Sequence, residues 1–187
     1  GRLKALAGRT GGAVCTSSNA GVIMRWAKSQ QKKILFVPDE HLGRNSGKRV
    51  GIAPERTYLW PGGWDGAKAS VAALSAAEQR RLDDAELILW GSYCGVHMVF
   101  TPAQVAFWKE QGFRALVHPE CRQEVVDVAD GAGSTNYLWQ AVLDAKAGDK
   151  EAVRLRDVLK RMQDHLDAGK PARTLPDPRR WPCAQPP

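Results

Sequence analysis

Cys94 and His97 are the two residues whose types and spacing point most directly to chemistry. They stand three apart in GSYCGVH, immediately after the apolar run ELILW, in a chain with only four cysteines and four histidines. A thiolate can bind iron or zinc, although one thiolate supplies only part of a metal site. A single cysteine after a strand can equally be a small buried hydrophobic residue. The residues alone leave both interpretations open.

His118 and Glu120 form a second candidate pair in the segment HPEC. If the preceding strand continues through them, their spacing of two places both side chains on one face. An imidazole and a carboxylate that share a cavity can exchange protons with a substrate. From these residues alone, we favour the alternative of a solvated surface pair with no function.

Two hydroxyl-rich segments precede predicted helices. They are CTSSNA, with Thr16, Ser17 and Ser18, and GAGST, with Ser134 and Thr135. The free N–H groups and the dipole of a helix N-terminus attract phosphate or carboxylate. The alternative is ordinary helix capping. Because the pattern occurs twice, we weigh anion binding and simple capping equally.

Short apolar runs alternate with helical patterns along most of the chain. We predict strands at 11–15, 33–38, 86–90 and 113–119, and helices at 18–30, 75–84, 101–111, 123–130 and 135–147. Strands separated by helices favour right-handed crossovers and a mostly parallel sheet, which defines an α/β fold. In such folds, ligands bind beyond the carboxyl ends of the strands. The polar segments described above fall at those ends.

The remaining segments carry less information. Residues 50–75 resemble an insertion or a packed loop, to which we assign no role. Residues 151–166 show the apolar periodicity of an amphipathic helix. Residues 168–187 contain six of the 11 prolines and predict an extended tail.

The composition limits the class of protein. Hydrophobic residues make up 43% of the chain and charged residues 25%, which predicts a packed globular protein. No apolar run is long enough to span a bilayer, and no signal sequence is visible, so we expect a cytoplasmic protein. The net charge of +7 is scattered along the chain, which makes nucleic acid a minor option. The four cysteines form no C-x-x-C pair, and this argues against a disulfide framework.

Five motifs in a fixed order carry a family resemblance: CTSSNA, ILFVPDEHLGRN, W-G-x-x-C-x-V-H, HPEC-x-x-EVVD-x-AD and GST. Over about residues 2–146, the chain resembles quinolinate synthase. Enzymes of this family condense iminoaspartate with dihydroxyacetone phosphate in NAD biosynthesis, using a [4Fe–4S] cluster. The resemblance implies small-molecule substrates, with L-aspartate oxidase or aspartate dehydrogenase as the supplier of iminoaspartate. It implies neither a membrane nor a nucleic acid as a partner.

The resemblance assigns Cys94 as one of the three cysteine ligands of the cluster, which leaves one iron free to act as a Lewis acid. Cys15 and Cys121 lie within the motifs but do not match cluster ligands. Cys183 lies in RRWPCAQPP, which does not match the expected C-P-N-M motif. We therefore expect one of the three cluster ligands in this chain.

The resemblance also implies the catalytic and substrate-binding residues. Glu120 is the expected acid/base residue, and His97 and His118 are expected to take part in catalysis. The expected substrate-binding residues include these three together with the anion-binding hydroxyls of Ser17, Ser134 and Thr135.

The implied fold has three-layer α/β/α domains with mostly parallel sheets, three of them around a pseudo-threefold axis. We expect the central domain at 1–130, the start of the next at 131–149, and a divergent helix with a proline-rich tail at 150–187, where the resemblance ends. We expect a quinolinate synthase fragment that cannot catalyse the reaction alone. The alternative is a non-catalytic α/β remnant that binds phosphate or carboxylate and lacks the cluster.

Overall fold

Residues 1–61 and 70–145 are described by the structure, a computed structural model of the chain. They fall into two units that divide between Cys94 and Gly95. None of the helices in the described ranges has the length and apolar character needed to cross a bilayer.

The first unit alternates helices with parallel strands. Its elements are α1 (Arg2–Arg9), α2 (Ala20–Ser29), β1 (Ile34–Phe36), α3 (Glu40–Arg49), β2 (Thr57–Trp60), α4 (Ala76–Asp84) and β3 (Leu87–Trp90). The strand order is β1-β3-β2, and both pairings are parallel. Short 3₁₀ turns occupy Pro54–Arg56 and Val71–Ala73.

The central strand β3 forms the middle of the hydrophobic core. Leu87 and Leu89 are fully buried, and they pack with Met24 of α2 and with Ile52. Burial of a leucine or methionine side chain contributes roughly 2 kcal/mol. This cluster therefore holds the helical layer of α2 and α3 against one face of the sheet.

Helix α4 lies against part of the opposite face of the sheet, at Tyr58 of β2. In β2, Thr57 and Leu59 lie on the same face of the sheet as Leu87. Tyr58 stands between them in the strand, so its side chain points to the opposite face. Tyr58 is buried, and the Arg81 guanidinium of α4 lies 5.8 Å from the centre of its ring. The first unit thus has the three α/β/α layers expected from the sequence.

Two glycines let α3 approach the sheet closely. A Cβ atom at Gly43 would lie 2.6 Å from Cδ2 of Leu89, and one at Gly47 would lie 2.6 Å from Cδ2 of Leu87. Ordinary contacts between carbon atoms are about 3.5–4.0 Å long, so both distances are far too short. The glycines, rather than apolar side chains, therefore form much of the face that α3 turns to the core.

The second unit contains a 3₁₀ segment at Gly95–Val99, followed by α5 (Pro102–Glu110), β4 (Leu116–Val117), α6 (Gln123–Val128), β5 (Gly131–Ala132) and α7 (Thr135–Asp144). Strands β4 and β5 pair in parallel. Val105, Cys121 and Val125 form the buried cluster of this unit. Cys121 is therefore a core side chain.

Specific capping interactions explain several helix boundaries. Ser75 with Glu78 and Thr101 with Gln104 form capping boxes at the starts of α4 and α5. The sequence predicts helices from about Ser75 and from Thr101, and the structure confirms both starts.

Lysine ammonium groups also satisfy carbonyls at helix carboxyl ends. Lys28 donates to the carbonyls of Val50 and Gly51 after α3, at 3.0 and 2.9 Å. Lys33 donates to carbonyls at the end of α4, including those of Leu82 and Ala85 at 2.8 and 3.3 Å. Part of the positive charge of the chain therefore stabilises the fold.

The predicted α/β class and the parallel pairing of strands are confirmed. The helices and strands predicted within 18–38, 75–90 and 101–111 are also confirmed, as is the helix that follows Arg122. The predicted strand at 11–15 is wrong, because this segment is a turn followed by irregular backbone in which Val14 is 54% exposed. The strand predicted at 113–119 is reduced to Leu116–Val117. An apolar run forms a strand only where a partner strand supplies hydrogen bonds.

Four elements were not predicted. Three of them are α1, α3 and β2, the last of which lies inside the segment 50–75 that was interpreted as an insertion. The fourth is the strand β5, since Gly131 and Ala132 carry no strand pattern. The predicted helix at 151–166 and the proline-rich tail lie outside the described residues.

Candidate active site

Cys94 lies at the end of the first unit, four residues beyond β3. Its side chain is a half-buried free thiol. Its backbone N–H donates to Oδ2 of Asp39 at 2.9 Å, while Oδ1 of Asp39 accepts from the N–H of Leu42 at 2.7 Å. The position of Cys94 after a central parallel strand agrees with the prediction from the sequence.

The other described cysteines differ from Cys94 in their environments. Burial raises the pKa of the Cys15 thiol, which disfavours the thiolate form that a metal requires. Cys121 is 1% exposed and belongs to the core cluster of the second unit. The core position of Cys121 favours a structural role for that thiol.

Ser17 lies just before α2 and is half-buried. The neighbouring Asn19 occupies the N-cap position, but its carboxamide oxygen accepts from the backbone N–H and the hydroxyl of Thr16, at 2.7 and 3.2 Å. The Asn19 side chain therefore does not cap the first-turn amides of α2. A positive helix end without a side-chain cap suits an anionic group.

Three of the predicted residues come together within the second unit. Nε2 of His97 lies 3.4 Å from Oε2 of Glu120, and the rings of His97 and His118 stack with centres 4.5 Å apart. The side chains of His97 and Glu120 are 18% and 22% exposed, so this histidine–glutamate cluster is partly shielded and still accessible to a small molecule.

The strand does not continue through His118 and Glu120, because β4 ends at Val117. A turn follows, in which the N–H of Cys121 donates to the carbonyl of His118 at 3.0 Å. This turn, rather than a continued strand, brings both side chains close to His97.

A hydrogen bond within this turn assigns the tautomer of His118. The backbone N–H of Glu120 donates to Nδ1 of His118 at 3.3 Å. A ring nitrogen that accepts a hydrogen bond carries no proton, so the neutral ring holds its hydrogen on Nε2. In this tautomer, Nε2–H is the donor of the ring.

Ser134 and Thr135 lie at the start of α7. Ser134 is buried at the N-cap, where its hydroxyl accepts from the N–H of Tyr137 at 3.3 Å, and Thr135 is exposed. The glycines before them accommodate the side chain of Tyr137, since a Cβ at Gly133 would lie 2.2 Å from its ring.

Asp39 is the residue at this end of the sheet that the sequence reasoning missed. It lies in the quoted segment PDEHLGRN, directly after a predicted strand and before what the structure shows to be α3. An aspartate that follows a strand and precedes a helix is a typical N-cap, and this signal was available. Its second partner, the amide of Cys94, is distant in sequence and visible only in the structure.

The parallel strands and the helices between them define an α/β protein, and ligands of such folds bind beyond the carboxyl ends of the strands. The family model described as "Quinolinate synthetase A protein" (NadA) matches residues 1–181. The chain belongs to the quinolinate synthase family. This match extends to residue 181, beyond the ordered motifs that carry the resemblance.

Curated relatives agree with this assignment. The chain is 40% identical over 153 residues to the quinolinate synthase of Bacillus subtilis (strain 168), covering 81% of this chain and 39% of that protein. It is 42% identical over 154 residues to the quinolinate synthase of Halobacterium salinarum (strain ATCC 29341), covering 81% and 38%. The enzyme of Bacillus velezensis aligns at 35% identity over 187 residues, covering 97% and 47%. The chain thus spans less than half the length of these relatives.

Proposed function

We propose that this chain forms part of a cytoplasmic quinolinate synthase, which condenses iminoaspartate with dihydroxyacetone phosphate to quinolinate in NAD biosynthesis. The family membership supports the proposal, and one observation of the structure carries it. His97, His118 and Glu120, which the resemblance assigns to the reaction, meet in a partly shielded cluster. Iminoaspartate would be supplied by L-aspartate oxidase or aspartate dehydrogenase.

In this proposal, Glu120 accepts and returns protons during condensation and dehydration. The His97 imidazole lies 3.4 Å from its carboxylate, so the two groups can share a proton and keep it near the reacting atoms. His118 has its hydrogen on Nε2 and serves as a donor to a substrate oxygen. The two histidines thus take different roles because their hydrogen-bond partners differ.

Anionic groups of the substrates would bind at helix N-termini. Ser17 precedes α2, and Ser134 with Thr135 begins α7. Hydroxyls at these positions can donate to phosphate or carboxylate oxygens while the first-turn amides add a favourable dipole.

Cys94 fits one corner of a [4Fe–4S] cluster, since it is a half-buried free thiol beyond a central strand. Clusters of this type are held by several cysteine thiolates, so we propose that Cys94 supplies one of three. When bound, the cluster supplies a Lewis-acidic iron to the substrate. The residues of this chain orient the substrate and move its protons.

The ligand assignment is tested in the complete synthase that carries this segment. We expect Cys94→Ser to lose most of its iron and acid-labile sulfide, because a serine hydroxyl is a poor substitute for a thiolate ligand. Cys15→Ser is the matched control, and it should keep the cluster. Equal iron and sulfide in wild type and Cys94→Ser would refute the assignment.

The acid/base assignment is tested with Glu120→Gln in the same enzyme. The amide keeps the shape of the side chain but cannot accept a proton, so turnover should fall about 10²- to 10⁴-fold with the cluster retained. Glu124→Gln makes the same change of charge and shape at an exposed side chain four residues along the chain, and it is the matched control. Unchanged turnover of Glu120→Gln would refute the acid/base role. A wild-type protein that binds phosphate but takes up no iron or sulfide would support the non-catalytic remnant instead.

A further inference from the structure

We propose that Asp39 is a positioning residue that fixes the backbone of Cys94 for cluster binding. The proposal rests on the proposed ligand role of Cys94. The family resemblance assigns no role to the Asp39 carboxylate. Its two hydrogen bonds carry the inference.

Each carboxylate oxygen of Asp39 has its own partner. Oδ1 accepts from the N–H of Leu42 at 2.7 Å and so caps α3, while Oδ2 accepts from the N–H of Cys94 at 2.9 Å. Asp39 is 8% exposed, so water competes weakly for either oxygen. Hydrogen bonds to an ionised acceptor are shorter and stronger than neutral ones. One side chain therefore ties the start of α3 to the backbone of the candidate ligand.

The geometry follows from the register of the sheet. Phe36 lies opposite Leu89, and Asp39 lies opposite Ser92 in a parallel bridge that continues the same register beyond the strand ends. The N–H of Glu40 donates to the carbonyl of Ser92 at 2.8 Å, and the Ser92 hydroxyl donates to the carbonyl of Pro38.

These contacts hold the segments after β1 and β3 side by side. Cys94 follows Ser92 by two residues, which places its amide within reach of Asp39. Groups that orient a metal ligand without touching the metal tune its affinity, and Asp39 is built to act in this way on Cys94.

Capping alone does not require both oxygens. Asn and Ser are about as good as Asp at an N-cap, because one side-chain oxygen suffices. Asp39→Asn can keep the bond from Leu42 through its carbonyl oxygen, but its NH₂ group cannot accept from the amide of Cys94. This substitution therefore separates the positioning of Cys94 from the capping of α3.

The first test measures amide hydrogen exchange by NMR in this chain without the cluster. In Asp39→Asn, exchange at the Cys94 amide should rise by about tenfold or more, while the Leu42 amide stays within about twofold. Glu40→Gln makes the same change of charge and shape one residue away and should leave both amides unchanged. Asp39→Ser is a second capping variant that lacks the second oxygen, and it should repeat the result if Asp39→Asn folds poorly.

The second test measures release of iron to a chelator from the complete synthase. Asp39→Asn should lose iron about 10- to 100-fold faster than wild type or Glu40→Gln, with a shifted electron paramagnetic resonance signal. Cys94→Ser provides the reference. If Cys94→Ser retains the cluster, the proposed ligand role fails, whatever Asp39 does. If Cys94→Ser loses it while Asp39→Asn matches wild type in iron release and in Cys94 amide exchange, the positioning role of Asp39 is refuted.

Discussion

Gly43 offers a direct test of how α3 packs against the sheet. A Cβ atom added there would lie 2.6 Å from Cδ2 of Leu89 and 2.7 Å from Cδ1 of Phe36. Leu89 is fully buried, so it cannot withdraw without displacing its neighbours in the core. The substitution Gly43→Ala must therefore move either the helix or the side chains beneath it.

The sign of the effect depends on two opposing contributions. Alanine is favoured over glycine within a helix by about 1 kcal/mol. Overpacking a filled core costs about 1–3 kcal/mol. Gly43→Ala should therefore be neutral to destabilising by up to about 2 kcal/mol, although a helix-propensity argument alone predicts stabilisation.

Gly21→Ala isolates the steric contribution. Gly21 lies in α2 of the same unit, and a Cβ there would meet nothing within 4 Å. It should gain helix propensity without overpacking, so its free energy of unfolding should exceed that of Gly43→Ala by about 1–3 kcal/mol. Urea unfolding followed by circular dichroism measures the difference. A Gly43→Ala variant as stable as Gly21→Ala would refute the close packing described here.

Two further predictions concern charged groups at helix ends. Lys33→Met should lower the free energy of unfolding by about 1 kcal/mol, because Lys33 satisfies the carbonyls of Leu82 and Ala85 at the end of α4. Lys32→Met, the same change at the neighbouring exposed lysine, is the control. Equal urea midpoints for the two variants would contradict this prediction. The Ala115 N–H, and then Lys109, hold the pKa of Asp130 below its ordinary value. A lowered pKa stabilises the fold above the ordinary value of about 3.9, and this contribution disappears as the pH falls through the folded-state pKa. Asp130→Asn should therefore flatten the acid side of the stability curve, and an unchanged slope would count against the role of Asp130.

The sequence carried strong information wherever local signals agreed. The helices predicted from about Ser75 and from Thr101 begin where expected, and the apolar runs at 34–36 and 87–90 marked two strands. Local capping and burial patterns act within a few residues, so they can be read without knowing the fold. The alternation of strands and helices then determined the α/β class and the parallel pairing.

Where a structure depends on a distant partner, the sequence was insufficient. Gly43 and Gly47 give α3 little apolar periodicity, and their importance appears only when Leu87 and Leu89 lie beneath them. The segment at 11–15 has a strand-like composition, yet the backbone there is irregular. Composition describes what a segment can form, whereas hydrogen-bond partners and available space decide what it does form.

For the candidate site, too, the sequence determined some features and the tertiary structure decided others. By itself, the sequence determined the family through its ordered motifs, and with it the identities of Cys94, His97, His118 and Glu120 as candidate residues. Only the tertiary structure decided that a turn after β4 brings His118 and Glu120 to His97, and that Asp39 accepts from the amide of Cys94. Residue types determine the available chemistry. Hydrogen bonds act over about 3 Å, however, and only the folded chain brings groups that are distant in sequence within that distance.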